Sequence, residues 1–330
     1  MSSRLIWADT LKGLLILLVI IGHCIAMVLG NEMANNDYWW CLIYSFHMPA
    51  FIAVSGYFQY RPNSTNKKKL SSQIWRRCCQ LLIPFFVWSF VFFAIRGNLK
   101  EYANCIFMPN TTFWFLWALF FICVLFSLLE TVAERFKWKF DLVLVGASLI
   151  CALVLVVLKD IHLFGIQYIL YYFIFYVIGY YIQKYGFSIK CTLLLLLTVA
   201  FWLLLASFWR PQSLPSFIPV TGMVATVLRF AYKFIVALVA ILAIFTAAPN
   251  VFNVENKFNN VLVWLGKYSL GVYVIHLTII NLVSKLIFDY EIAPFARIAI
   301  LYVVLVLMSS TILWLLNKNR WTARFFLGKI

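Results

Sequence analysis

The sequence predicts an all-α fold: a polytopic membrane protein of about ten transmembrane helices around a polar cavity, forming one domain over residues 1–330. Three observations predict it. The chain of 330 residues is 65% hydrophobic and only 12% charged, with a mean hydropathy of +0.94. Apolar runs of about twenty residues, the length that crosses the hydrocarbon core of a bilayer, recur from end to end. Three of the four histidines (His23, His47 and His276, but not His162) lie inside such runs. An ionisable group at membrane depth needs a partner, water or a function, so three of them in separate spans predict a shared polar cavity.

The predicted spans are 11–29, 39–58, 78–95, 112–129, 141–158, 166–183, 190–209, 227–248, 266–287 and 295–316, with boundaries good to about two to four residues. An even number puts both termini on one side, and charge assigns that side. The termini and the loops that follow even-numbered spans hold 16 lysines and arginines: Arg4; Arg61, Lys67, Lys68, Lys69, Arg76 and Arg77; Arg135, Lys137 and Lys139; Lys184; Lys257; and Lys318, Arg320, Arg324 and Lys329. The opposite loops hold 5: Arg96, Lys100, Lys159, Arg210 and Lys285. Cationic loops stay in the cytoplasm, so both termini are expected there. The same distribution explains the net charge of +16 without nucleic acid as a partner. The eight cysteines show no paired metal spacing and read as free thiols acting as small hydrophobes, so no metal is expected. The first apolar run is long, contains His23 and lacks a small-x-small exit, which argues against a cleavable signal.

The first span carries the sharpest pattern. Lys12 opens it within Asp9-Thr10-Leu11-Lys12-Gly13, and His23 lies eleven positions on. Three helical turns separate them, so they share a face about 16 Å apart, too far for a direct hydrogen bond. In span two, Ser45-Phe46-His47-Met48-Pro49 places a proline beside a histidine. Proline lacks the backbone donor, so a kink or local break is expected, either lining the cavity or as an ordinary transmembrane proline.

Arg76 and Arg77 stand where span three begins, before Leu82-Ile83-Pro84. A forked guanidinium there suits either a phosphate ligand or lipid headgroups. Trp114, at the outer end of span four, reads as an interfacial belt residue or as a platform for stacking a sugar. Span six is unusually rich in tyrosine. Span nine, Ser269-Leu270-Gly271-Val272-Tyr273 through His276, contains the third buried histidine.

At these residues the sequence resembles the acyltransferase 3 family of integral membrane acyltransferases over essentially its whole length. That family typically shows a basic residue, ten positions and a histidine in its first span, here Lys12 and His23. Phe46-His47-Met48-Pro49 with Ser55-Gly56-Tyr57, Arg76 and Arg77 before Leu82-Ile83-Pro84, Trp114-Phe115-Leu116, and the Ser269 to His276 segment match the rest in order. One position departs: the family often has two arginines three apart in span three, and here Gln80 stands three after Arg77. A lysine at position 12 resembles the branch that acetylates sugar hydroxyls.

The resemblance implies transfer of an acyl group, most simply acetyl, from acyl-CoA to a hydroxyl of a cell-surface carbohydrate or its lipid-linked precursor, in a bacterial inner membrane. His23 is the expected general base and Lys12 its motif partner. Lys12 is expected at the cytoplasmic mouth, on coenzyme A phosphates or paired with Asp9 one turn away. Arg76 and Arg77 complete the donor grip. His47, Tyr57, Trp114 and His276 are candidates for contacts with the acceptor or the oxyanion. The alternative reading is a transporter or flippase for a lipid-linked sugar, since intramembrane histidines also serve proton relays; such proteins often carry inverted repeats, and none stands out in the sequence.

Overall fold

A computed structural model describes residues 5–60, 69–253, 256–288 and 290–329. Arg4, Arg61, Lys67 and Lys68, which enter the charge asymmetry above, lie outside the described residues. The protein is all-α, with no strand among the described residues. Among the described residues, eight stretches are long and apolar enough to cross a membrane: Ile6–Leu29, Leu70–Ile95, Trp114–Arg135, Phe140–Val157, Leu163–Tyr185, Gly222–Val251, Ser269–Phe288 and Pro294–Asn317. The protein is therefore a multi-pass membrane protein. The helix Phe140–Val157 shows why length and composition suffice: it leaves Leu142, Val145, Leu149, Ile150, Leu153 and Val157 exposed. Such an apolar face is tolerated in lipid and not in water.

The other two expected spans take a different form. The stretch 39–58 is broken into Tyr38–Tyr44 and His47–Tyr57. Pro49 cannot donate to the carbonyl of Ser45, and its ring would press on that carbonyl in a continuous helix. The chain therefore turns at Ser45-Phe46 and restarts with Pro49 in the first turn. The stretch 190–209 holds a 16-residue apolar helix, Thr192–Ser207, which is short for a span.

The chain packs as two units. The first comprises Met1–Val54 and Tyr185–Ile312, the second Ser55–Lys184 and Leu313–Ile330. In the first unit we number α1 Ile6–Leu29, α2 Tyr38–Tyr44 and α3 His47–Tyr57, the last running on into the second unit. In the second, α4 is Leu70–Arg77, α5 Ile83–Ile95, α6 Trp114–Arg135, α7 Phe140–Val157 and α8 Ile166–Tyr185. The chain returns to the first unit with α9 Thr192–Ser207, α10 Gly222–Val251, α11 Lys257–Lys267 and α12 Ser269–Phe288.

In the first unit α1 packs against α11 with backbones touching. A Cβ on Gly13 would stand 2.0 Å from the carbonyl oxygen of Leu262, and one on Gly266 would stand 1.8 Å from that of Asp9. Small residues permit this approach where helices associate in lipid. Further along α1, a Cβ on Gly22 would meet the Tyr44 ring at 2.7 Å. The missing side chain therefore admits that ring beside His23.

In the second unit α4 runs into α5 through five residues of π-helix, Cys78–Leu82, so the expected span 78–95 begins eight residues earlier, at Leu70. Pro84 offers no N–H to the carbonyl of Gln80. The helix widens by one residue, and Ile83 N–H donates to the Cys78 carbonyl instead. At one end of this unit, Lys184 in the last turn of α8 pairs with Asp141 in the first turn of α7, Nζ to Oδ1 2.5 Å. At the other, Trp117 Nε1 of α6 donates to the carbonyl of Phe164 just before α8, at 2.9 Å. Successive helices thus alternate in direction, as short connections require.

Candidate active site

Helix α1 is unbroken from Ile6 to Leu29, so the eleven positions from Lys12 to His23 remain about 16 Å of straight helix. The two residues occupy different surroundings. Asp9 is buried, 3% exposed, and Lys12 Nζ stands 2.9 Å from its Oδ1. A carboxylate that deep is sustained by a partner charge, and the i, i+3 spacing on one face supplies it. Of the two positions expected for Lys12, the structure shows the ion pair with Asp9. The Gly13–Leu262 and Gly266–Asp9 contacts hold this end of α1 against α11. The Asp9 to Gly13 motif is therefore at least partly architectural.

At the other end of α1 the three membrane-depth histidines come together within one unit. The rings of His23 and His276 are 5.4 Å apart between centroids and tilted by 46°. Tyr44 bridges to the third histidine: its ring lies edge-on to His23 at 6.5 Å and to His47 at 4.7 Å. Trp40 stacks on the far side of the group, 3.8 Å from Tyr44. His23 is half-buried, whereas His47 and His276 are buried.

Local backbone explains the orientation of the last two. His47 Nδ1 donates to the carbonyl of Ile43 at 2.7 Å, across the break that Pro49 imposes. His276 Nδ1 donates to the carbonyl of Val272 at 2.9 Å, one turn back along α12. A carbonyl only accepts, so the facing nitrogen carries the hydrogen. In the neutral ring Nε2 is then the bare lone pair.

The remaining sequence-derived candidates lie in the second unit. Arg77, in the last turn of α4, reaches Gln80 Oε1 from Nη1 at 3.4 Å and has Cys123 and Tyr176 as electrostatic neighbours. Tyr176 is fully buried and donates to Gln59 Oε1 at 3.3 Å, while Cys123 Sγ lies 3.7 Å from the Tyr176 hydroxyl. Gln59, Gln80, Cys123 and Tyr176 thus form a polar network around the Arg77 guanidinium, which sequence reasoning missed. The one available signal was Gln80, three residues after Arg77. Arg76 is half-buried beside it. Tyr57 ends α3 edge-on to Phe58 at 5.6 Å. Trp114 opens α6 with its indole stacked on Tyr168 at 4.5 Å and on Tyr172 at 5.3 Å. Part of the unexplained tyrosine content of span six is spent on this stack. Tyr44 was likewise missed; no spacing rule singles out a tyrosine three residues before a histidine.

Nodulation protein NolL of Sinorhizobium fredii is 28% identical over 183 residues, covering 51% of this chain and 47% of that protein. Nodulation protein NolL of Mesorhizobium japonicum is 29% identical over 147 residues, covering 42% of this chain and 39% of that protein. The chain spans about half the length, or less, of these curated relatives in the regions that match. No solved structure matches it. The family model described as "Acyltransferase domain" matches residues 5–316, taking in both the Asp9–Lys12 pair and the histidine cluster, and the chain accordingly belongs to the acyltransferase 3 family.

Proposed function

We propose that the protein transfers an acyl group, most simply acetyl, from acyl-CoA to a hydroxyl of a cell-surface carbohydrate or of its lipid-linked precursor. The observation that carries this reading is the gathering at membrane depth of His23 and His276, ring beside ring, with His47 joined to His23 through Tyr44, in a chain of this family. Acyl transfer from a thioester needs a base for the hydroxyl proton and a hold on the donor. His23 is the half-buried member of the cluster and the base in this reading. It takes the proton as the acceptor oxygen bonds to the thioester carbon. The tetrahedral intermediate then collapses, the carbon–sulfur bond breaks, and the proton passes to the departing thiolate.

Lys12, Arg76 and Arg77 are each candidates for donor binding from the cytoplasm, with ammonium and guanidinium groups suited to coenzyme A phosphates. The extended pantetheine arm would span the distance from Lys12 to His23. The acceptor then arrives from the outer face or laterally from lipid, with Tyr57, Trp114 and His47 as its candidate contacts. The reading places the protein in a bacterial inner membrane with both termini cytoplasmic, which the charge asymmetry supports. Purified protein in liposomes, supplied with labelled acetyl-CoA and a lipid-linked glycan, is expected to yield an acylated glycan by mass spectrometry. Surface glycans of cells lacking the protein are expected to lose the same acyl mass. A glycan profile unchanged by removal of the protein, together with no transfer in liposomes, would refute it.

A further inference from the structure

We infer that His276 is a positioning residue for the base, holding His23 in the one tautomer that can accept a proton from the acceptor hydroxyl. The inference rests on the acyl-transfer reading above and concerns a role that neither the family match nor the motif pattern gives to this residue.

Four facts carry it. His276 is wholly buried, 0% exposed. Its Nδ1 hydrogen is committed to the Val272 carbonyl at 2.9 Å, which leaves Nε2 as a lone pair. That Nε2 has no hydrogen-bond partner among the described residues. A buried acceptor left open is costly, so its retention calls for an explanation. The His23 ring lies 5.4 Å away between centroids. An imidazole nitrogen sits roughly 1.1 Å from its ring centre, so facing nitrogens at this spacing stand about 3 Å apart, which is hydrogen-bond range. That bond is open in the structure as it stands. Catalytic hydrogen bonds are often loose before substrate binds and tighten in the complex.

The polarity of the resulting chain is set at its far end. The Val272 carbonyl accepts from His276 Nδ1–H. His276 Nε2 therefore accepts from one N–H of His23, and the other His23 nitrogen carries the lone pair. The arrangement has the logic of a nucleophile–base–orienter triad, with a neutral imidazole in the orienting place. When His23 takes the hydroxyl proton it becomes imidazolium, and its second N–H is already directed at an acceptor. The proton returns from the same nitrogen to the thiolate leaving group, so His276 gains and loses none. The same tautomer removes His276 from oxyanion duty, since a bare lone pair cannot donate to a negative oxygen.

The test compares His276→Phe with His276→Gln in the liposome assay, each normalised to folded protein. Phe keeps a ring but no acceptor. Gln keeps a carbonyl oxygen near the place of Nε2. Phe is expected to lower kcat by roughly tenfold to a hundredfold with KM for donor and acceptor unchanged, and Gln to recover most of that loss. Equal losses in Phe and Gln, or a change in KM alone, would overturn the role. Side-chain nitrogen NMR of histidine-labelled protein gives a readout that needs no turnover and no Phe variant. The resonances lost in His276→Gln are expected to report hydrogen on Nδ1 and a bare Nε2; hydrogen on Nε2 would overturn the role. Absence of transfer by the wild-type protein would count against the acyl-transfer reading instead, and the NMR result would stand apart from it.

Discussion

Replacing Gly266 by alanine adds one methyl group where two backbones already touch. The new Cβ would lie 1.8 Å from the Asp9 carbonyl oxygen and 2.9 Å from the Gly13 nitrogen, whereas ordinary contact begins at 3.4 Å. Both obstacles are helix backbone, which no rotamer change can move. α1 and α11 must therefore part by about 1.5 Å, a gap that forfeits a large share of the dispersion energy along their contact. Overpacking of this kind costs typically 1–3 kcal/mol, and the rigidity of the obstacle argues for the upper end. Alanine regains about 1 kcal/mol of helix propensity over glycine. The expected net loss is about 2 kcal/mol, or roughly a thirtyfold fall in the folded ratio. Gly13→Ala should cost a similar amount, its Cβ standing 2.0 Å from the Leu262 oxygen. The double variant should cost less than the two added together, because one separation relieves both clashes. Gly146→Ala is the control: it sits within α7, where an added methyl group would meet nothing within 4 Å, and should be neutral or slightly stabilising. Denaturation in detergent micelles, followed by fluorescence size exclusion, reads all four. Equal stability of Gly266→Ala and Gly146→Ala would refute the reasoning.

Three further outcomes are expected. His23→Gln keeps a polar side chain of similar reach but cannot take a proton at working pH, so turnover should fall about 10²–10⁴-fold with protein abundance unchanged, and His47→Gln and His276→Gln should lose less; near-normal turnover with glutamine at position 23 would remove the base assignment. Charge reversal of Arg76 and Arg77 together should weaken acyl-CoA binding, more strongly at low salt, and unchanged binding in detergent would assign both to headgroups. Reporter fusions in loop 30–38 and at the C-terminus should report opposite sides of the membrane, and agreement between them would overturn the assigned topology.

The membrane class was legible because lipid exposure demands helices that are apolar all round, and that is a property of composition. The break in 39–58 was legible from Pro49, because a missing N–H acts locally. The meeting of His23, His47 and His276 could be expected only as a shared cavity, since each residue is costly alone and the cost is shared when they meet. Which atoms face which was not legible. The Nδ1 bonds of His47 and His276 depend on one ring rotamer each, and sequence spacing does not fix a rotamer. The network of Gln59, Gln80, Cys123 and Tyr176 around Arg77 was hidden for a related reason. Apart from Gln80, its members are far apart in sequence, Gln59 in the turn after α3, Cys123 in α6 and Tyr176 in α8, and all are residue types that occur widely without special roles.

Helix α1 also shows why its motif reads as one unit although its two ends have different tasks. Asp9, Lys12 and Gly13 fix the depth of the helix by an ion pair and by backbone contact with α11. Gly22 and His23 lie at the other end, where a missing side chain admits Tyr44 and the neighbouring imidazole meets His276. An unbroken helix transmits position rigidly over such a length. Gly266 anchors the start of that register just before α12 begins, and His276 follows seven residues into α12, so α1 and α12 run in the same direction from one shared anchor. A displacement at Gly13 or Gly266 therefore shifts His23 along His276 as well as loosening the fold. Near-attack geometry tolerates little error, and misplacement by about 1 Å can cost on the order of a hundredfold in rate. The glycine variants should consequently lose turnover beyond what their folded fraction explains, with the excess in kcat. A loss proportional to folded protein alone would confine the glycines to stability.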